Sequence, residues 1–531
     1  MNQVKQLTLF KFAGFGAIVL LLFFVRLVSF NTNVLNHDEL EWLYGIERTW
    51  QDARPFIGFE AHTSGPLSIY FLSIIKLFVS SPTTLHLRLF GFVFFIIPTC
   101  FILFRVKKNY WNFAGLGFLF ALLSIQTEDF FSYNTEFQIL LFTAILYVLL
   151  TSSPSLFRVI CYSILIVFFF FIKIQVVFIL AFYGIAMACK LLYTRNFRLF
   201  YYYMSLVFLD VFAILLYLNF TNTLNEAYYI YIEKNIFYSD TISTQLDQWH
   251  SIVFTFLKYN FHFFIYPILC ILCSAALLLY SVRESINFNR ELIHRILTSR
   301  LFVSFCLYVI SLLTVLYSKN NFIHYYVVLF FPMSIFFSEI YFSLSQRPIF
   351  RNVRSFYLGT LFVAFMMHFS FYNANNTYNY LMANHQERKR YKLGHEKGYL
   401  VNSKLTEWLL NHREGHSNGI LSLGWFSSQM LNYELGLSYS PVYRSANFFW
   451  YLTTFNHAKE YFFKREEANL MQDIFNNPPY YIVDCEEILD KTEGGKFSNY
   501  VKANYVLVKS SYDYKIYQRQ PNDISKYNKL P

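Results

Sequence analysis

Long apolar runs broken by short polar patches dominate the first 375 residues. Runs of roughly 17–22 residues have the length a helix needs to cross the hydrocarbon of a bilayer. They predict membrane helices near 10–30, 85–104, 112–126, 136–151, 157–172, 176–192, 198–218, 260–281, 301–317, 324–345 and 355–372. The first run, Phe10 to Phe30, is longer than a signal-peptide core and has no small-residue cleavage site, so it reads as a retained helix. Segment 66–79, PLSIYFLSIIKLFV, is too short to cross comfortably and reads as a re-entrant or interfacial helix. Beyond Tyr372 the apolar runs shorten. Lys397–His412 has helical spacing, with Leu400, Leu405, Trp408 and Leu409 on one face. Gly419–Gly424 and Tyr480–Asp484 read as buried strands, and Tyr505–Gln518 alternates as a hairpin does.

Charge orients this pattern. With the N-terminus inside, the predicted cytoplasmic segments collect Lys5, Arg105, Lys107, Lys108, Arg158, Lys190, Arg195 and further arginines, against only Glu284 and Glu291. That is the positive-inside distribution, and it explains the net charge of +11 without any nucleic-acid partner. Counting 66–79 as a full crossing would place Arg105–Lys108 outside, against the rule. The chain is therefore predicted to be a polytopic α-helical membrane protein with about eleven transmembrane helices. Juxtamembrane helices occupy the first extracytoplasmic loop, 31–80, within a membrane domain of residues 1–375. Residues 376–531 form an extracytoplasmic α/β domain. The composition, 55% hydrophobic and 21% aromatic, agrees with this class. Six of the seven cysteines lie in apolar runs, so no disulfide framework is implied.

The acids gather in one place. Asn36–Pro66 holds His37, Asp38, Glu39, Glu41, Glu47, Asp52, Glu60 and His62. A carboxylate at a membrane interface can take a proton from an incoming hydroxyl or amine, and a partly dry setting raises its basicity. Asp38 and Glu39 are the candidates for that role; the plainer reading is a solvated acidic loop. Glu60 and His62 can bind substrate or a divalent metal, although His37, Asp38, Glu60 and His62 lack a recognised zinc spacing. No cofactor is required otherwise. Lys173 interrupts the run FFFFIKIQVVFIL, either as an outer turn or as a cation facing a polar cavity. Arg88 and Lys319 lie on the same predicted side, and Lys319 precedes His324, Tyr325 and Tyr326. Such cations suit an anionic lipid phosphate, or simply snorkel at helix ends. Glu128, Asp129 and Glu136 flank the next outer turn, where a sugar contact and a plain polar turn are both open. The motifs GxxxxGK[ST], GxGxxG and GxSxG are all missing from the sequence, which removes the usual marks of nucleotide-driven transport and serine hydrolysis.

Taken in order, these residues resemble GT-C glycosyltransferases of the protein O-mannosyltransferase and lipid A aminoarabinose transferase branches. Those families carry an acidic pair soon after the first helix, matched by Asp38-Glu39. An acid and a His-Pro-Pro-like element follow, then an Arg opening a helix; Glu60-Ala-His62-Thr-Ser-Gly-Pro66 and Arg88 occupy those places. A late His-Tyr before an apolar run ending in Pro is matched by His324-Tyr325-Tyr326 and Pro332. The adjacent prolines of the family are here Thr63-Ser64-Gly65-Pro66, a departure beside Glu60 and His62. The resemblance implies an inverting transfer from a polyprenyl-phosphate sugar to a glycan, lipid or protein acceptor, at a bacterial inner membrane. Asp38 would be the base, Glu39 its reserve, and Lys173, Lys319 and His324 would hold the phosphate. Two other classes compete: a lipid-linked sugar flippase, which lacks here the repeated halves such transporters show, and a non-catalytic envelope assembly protein.

Overall fold

The computed structural model describes residues 2–31, 37–57, 64–105, 133–237, 300–317, 323–345, 407–412, 419–424, 460–485, 487–511 and 514–520, with residues 116, 119, 123 and 405. The chain divides into two compact units, Met1–Thr32 with Ala61–Ala383 and Asn33–Glu60 with Asn384–Pro531. The first outer loop read from the sequence is thus shared between them.

The first unit is built of apolar helices: α1 (Asn2–Asn31) opens the chain. The second unit claims α2 (His37–Gln51), and the first resumes with α3 (Pro66–Ser73), whose last turn tightens to a 3₁₀ turn over Ile74–Leu77. Pro66 sits where a helix start tolerates a missing N–H. Next come α4 (Thr84–Arg105), wound as a π-helix over Phe92–Ile96, and then α5 (Glu136–Thr151) and α6 (Leu156–Phe170). α7 (Val177–Tyr193) and α8 (Phe197–Phe220) follow, then α9 (Arg300–Tyr317) and, after a 3₁₀ stretch Ile323–Leu329, α10 (Phe330–Ser345). These are the predicted runs, met to within a few residues at most ends. Predicted helices 260–281 and 355–372 lie outside the described residues, as does most of 112–126.

Hydroxyls tie the helices where apolar surface alone gives no register in lipid. Tyr162 of α6 donates to the Tyr183 carbonyl of α7 at 2.7 Å, and Tyr183 donates to the Thr143 carbonyl of α5 at 2.8 Å. The ammonium of Lys190 caps the Leu150 and Ser152 carbonyls at the far end of α5, where the helix dipole is negative. α8 presents Phe208, Phe212 and Phe220 outward, as a helix bordering hydrocarbon does.

The second unit contains a four-stranded sheet in the order β1-β2-β4-β3, with β1 (Ile420–Leu423), β2 (Tyr481–Asp484), β3 (Tyr505–Ser510) and β4 (Lys515–Arg519). β1 and β2 are parallel, and α11 (Glu460–Asn476) lies in the connection between them. β3 and β4 form the predicted hairpin. Leu405 and Leu409 pack with Ile420, Val483 and Ile516 in its core. Two of the buried carboxylates here serve helix starts: Asp484 accepts the Ile488 and Leu489 amides at 2.8 and 3.0 Å. Glu467 accepts the Phe497 amide at 3.0 Å, at the start of α12 (Lys496–Asn504).

α2 forms from half of the acidic segment. Trp42, Ile46 and Thr49 recur at helical spacing and are buried, while Asp38 and Glu39 sit in the first turn, where the dipole favours anions. After its last turn, Asp52 accepts from both the amide and the guanidinium of Arg54.

Candidate functional site

α5 and α6 form an antiparallel hairpin joined by a short link near Ser152–Ser155, so the start of α5 and the end of α6 lie at one level. That geometry brings together two charges far apart in sequence. Lys173, in the turn after α6, places its Nζ 2.5 Å from Glu136 Oε1. Both are buried, with side chains 6% and 1% exposed, so this is an ion pair outside the reach of solvent. The Lys173 ammonium also lies 4.3 Å from the centre of the Tyr325 ring, on the 3₁₀ stretch before α10.

The far end of the acidic segment is fixed to the same turn. Ser64 and Lys173 pair as an isolated antiparallel bridge, with the Gly65 amide donating to the Ile172 carbonyl at 2.7 Å. The Leu67 amide donates to the Phe171 carbonyl at 3.0 Å. The approach is close enough that a β-carbon on Gly65 would lie 1.9 Å from the Phe171 carbonyl oxygen and 2.8 Å from the Tyr231 hydroxyl. Ser64 Oγ is 3.3 Å from Thr135 Oγ1, and Gln138 Nε2 donates to Ser68 O at 3.0 Å and to the Tyr133 hydroxyl at 2.7 Å. The side-chain amide of Asn134 is buried beside them, with no hydrogen-bond partner on either atom. Five stretches of chain thus converge on one buried lysine.

Of the residues picked out from the sequence, Lys173 and Tyr325 meet here. Arg88 is buried in α4 within the same unit. Asp38 and Glu39 are neighbours in the first turn of α2 in the second unit: Asp38 is half-buried and Glu39 wholly buried, so Asp38 is the more accessible of the two. The Arg54 guanidinium holds the Asp52 carboxyl below the ordinary carboxylate range, which removes Asp52 as a proton acceptor near neutrality. Glu60, His62, Lys319, Glu128 and Asp129 lie outside the described residues, and His324 is placed only by its backbone. Among the described residues no group of three or more His, Cys, Asp or Glu gathers as metal ligands would.

Two buried charges have a place that the sequence does not assign. For Glu136 the sequence leaves a sugar contact and a plain polar turn both open, whereas the hairpin of two predicted helices puts it level with Lys173. Arg26, deep in the first apolar run, is buried with its guanidinium 5.1 Å over the ring of Phe137, the residue after Glu136.

No protein-family model and no curated protein matches the chain. Among solved structures it is similar to the crystal structure of ArnT from Cupriavidus metallidurans bound to undecaprenyl phosphate. The match is 10% identical, covers 95% of this chain and 97% of that one, and has a TM-score of 0.46. The likeness is one of fold.

Proposed function

We propose that the protein is an inverting membrane glycosyltransferase that moves a sugar from a polyprenyl-phosphate donor to an acceptor on the extracytoplasmic face of a bacterial inner membrane. The observation that carries the reading is the contrast between Asp38 and Glu39, a half-buried carboxylate beside a wholly buried one in the first turn after the first membrane helix. A general base needs access to its proton donor, and the half-burial of Asp38 supports that part for it. In this reading Asp38 takes the proton of the acceptor hydroxyl or amine as its lone pair attacks the anomeric carbon. The bond from that carbon to the phosphate oxygen breaks, and the polyprenyl phosphate leaves with the electron pair. Cations near the departing phosphate stabilise the charge it gains, the part given to Lys173, Lys319 and Arg88, and His324 and Tyr325 are given a share in binding it. Glu60 and His62 are given the sugar or the acceptor. The lipid tail explains why such chemistry belongs at an interface: the tail stays in the bilayer while the sugar reaches the base.

Asp38→Asn tests the reading. The variant is expected to reach the membrane and elute as wild type, while transfer from a polyprenyl-phosphate sugar falls by about 10²–10⁴-fold, the contribution typical of a lost general base. Transfer at the wild-type rate would sink the assignment of Asp38. Movement of labelled lipid across liposomes without sugar transfer would instead favour a flippase.

A further inference from the structure

Lys173 is already paired. A buried lysine that is to hold a phosphate should leave a face of its ammonium for it, yet here Glu136 lies 2.5 Å away and Tyr325 covers another side. The pair is electrically neutral, and a phosphate added to it would leave the dry pocket with excess negative charge. A buried cation without any anion would be costlier still, because desolvation is then uncompensated.

Resting on the phosphate-binding reading of Lys173, we infer that Glu136 is the resident counterion of that site: it occupies Lys173 when no lipid phosphate is bound, and the phosphate displaces it on binding. This fits what a transferase needs from both ends of its cycle. Between turnovers the carboxylate gives the ammonium a partner and holds it in place in a water-poor site. After transfer the lipid phosphate is a product that must leave, and a tethered competitor within hydrogen-bond reach lowers the affinity that would otherwise hold it. Glu136 stands at the first residue of α5, and Ser64 and Thr135 approach the same turn, so the displaced carboxylate has hydroxyls close by. Glu136 is a positioning residue here, acting through Lys173.

The test measures binding of a polyprenyl phosphate, and of the matching neutral polyprenol, to the full chain in nanodiscs. Wild type should prefer the phosphate. Glu136→Gln should bind the phosphate more tightly, on the order of tenfold, because the competing charge-assisted bond is gone, and should leave polyprenol binding unchanged. The same variant should unfold at a lower temperature than wild type when empty and regain that loss with the phosphate but not with polyprenol. Lys173→Met should lose most of the preference for phosphate, the remainder coming from the other cations given that part. If Glu136→Gln does not yield monodisperse protein, Glu136→Asp, which keeps the charge but withdraws it by one methylene, should tighten phosphate binding by a smaller factor. Unchanged or weaker phosphate binding in the variant that folds overturns the counterion role and leaves the pair purely structural. A wild type that does not distinguish phosphate from polyprenol overturns the phosphate-binding reading itself.

Discussion

Gly65 shows how much one residue position can carry. Its φ is −78°, an angle any residue adopts, so space and not backbone freedom requires glycine. A methyl group there would enter the Phe171 carbonyl, and backbone on both sides would have to part. Gly65→Ala should therefore destabilise the first unit by about 1–3 kcal/mol, the usual cost of overpacking, seen as a lower melting temperature in detergent. An unchanged melting temperature would mean that the pairing of 64–67 with 171–173 is dispensable. Ser64-Gly65 thus serves as a close-packed joint at the place where the families that this sequence resembles carry adjacent prolines. The sequence marks the departure, but its reason lies in a contact with a turn more than one hundred positions away, which no local pattern encodes. The Lys173–Glu136 pair is different. Two charges of opposite sign at the open ends of a predicted helical hairpin can be paired from the sequence, but Glu136 reads there equally as a sugar contact or as part of a polar turn.

Elements follow a similar division. α4, α5, α6, α7 and α8 are legible because an apolar run of bilayer length has one economical fold in lipid, a helix that satisfies its own backbone. The 3₁₀ and π stretches at Ile323–Leu329 and Phe92–Ile96 are not, since they answer to packing. α2 is expected from the sequence only as an unplaced juxtamembrane helix: the acids crowded at its start read as loop polarity, whereas the Trp42, Ile46, Thr49 stripe and acids in a first turn are helix signals. Its C-terminal turn offers a pH test. The Asp52 carboxyl is held below its ordinary range by Arg54, so its contribution is complete above about pH 4 and is lost as pH falls through the depressed value. Hydrogen-exchange protection of the Arg54 amide, which donates to Asp52 Oδ1 at 3.0 Å, should fall in that acid window and be insensitive to it in Asp52→Asn. Protection that ignores pH in wild type would show the turn to be held by other bonds. The pair is exposed, so the effect belongs to this turn and not to global stability.

At the scale of the whole chain, the acidic segment and the C-terminal region form one compact unit, although some 300 residues of membrane-embedded chain separate them. Sequence order suggests the opposite, a loop belonging to the helices on either side of it. Trp42 and Ile46 are buried, and a helix of 15 residues with that stripe uncovered is marginal in water. If the cover comes from the unit to which α2 belongs, a chain ending after Ala383 should keep its membrane helices and lose α2. Hydrogen exchange in nanodiscs would then show α3 and α5 protected as in the full chain, with the amides of α2 exchanging freely. Sugar transfer should vanish with them, because Asp38 stands in the first turn of the helix that melts. Supplying the missing region on a separate chain should restore protection of α2 before it restores transfer. Persistent protection of α2 in the shortened chain would place its cover elsewhere, and would leave the C-terminal region free to serve a task separate from holding the base.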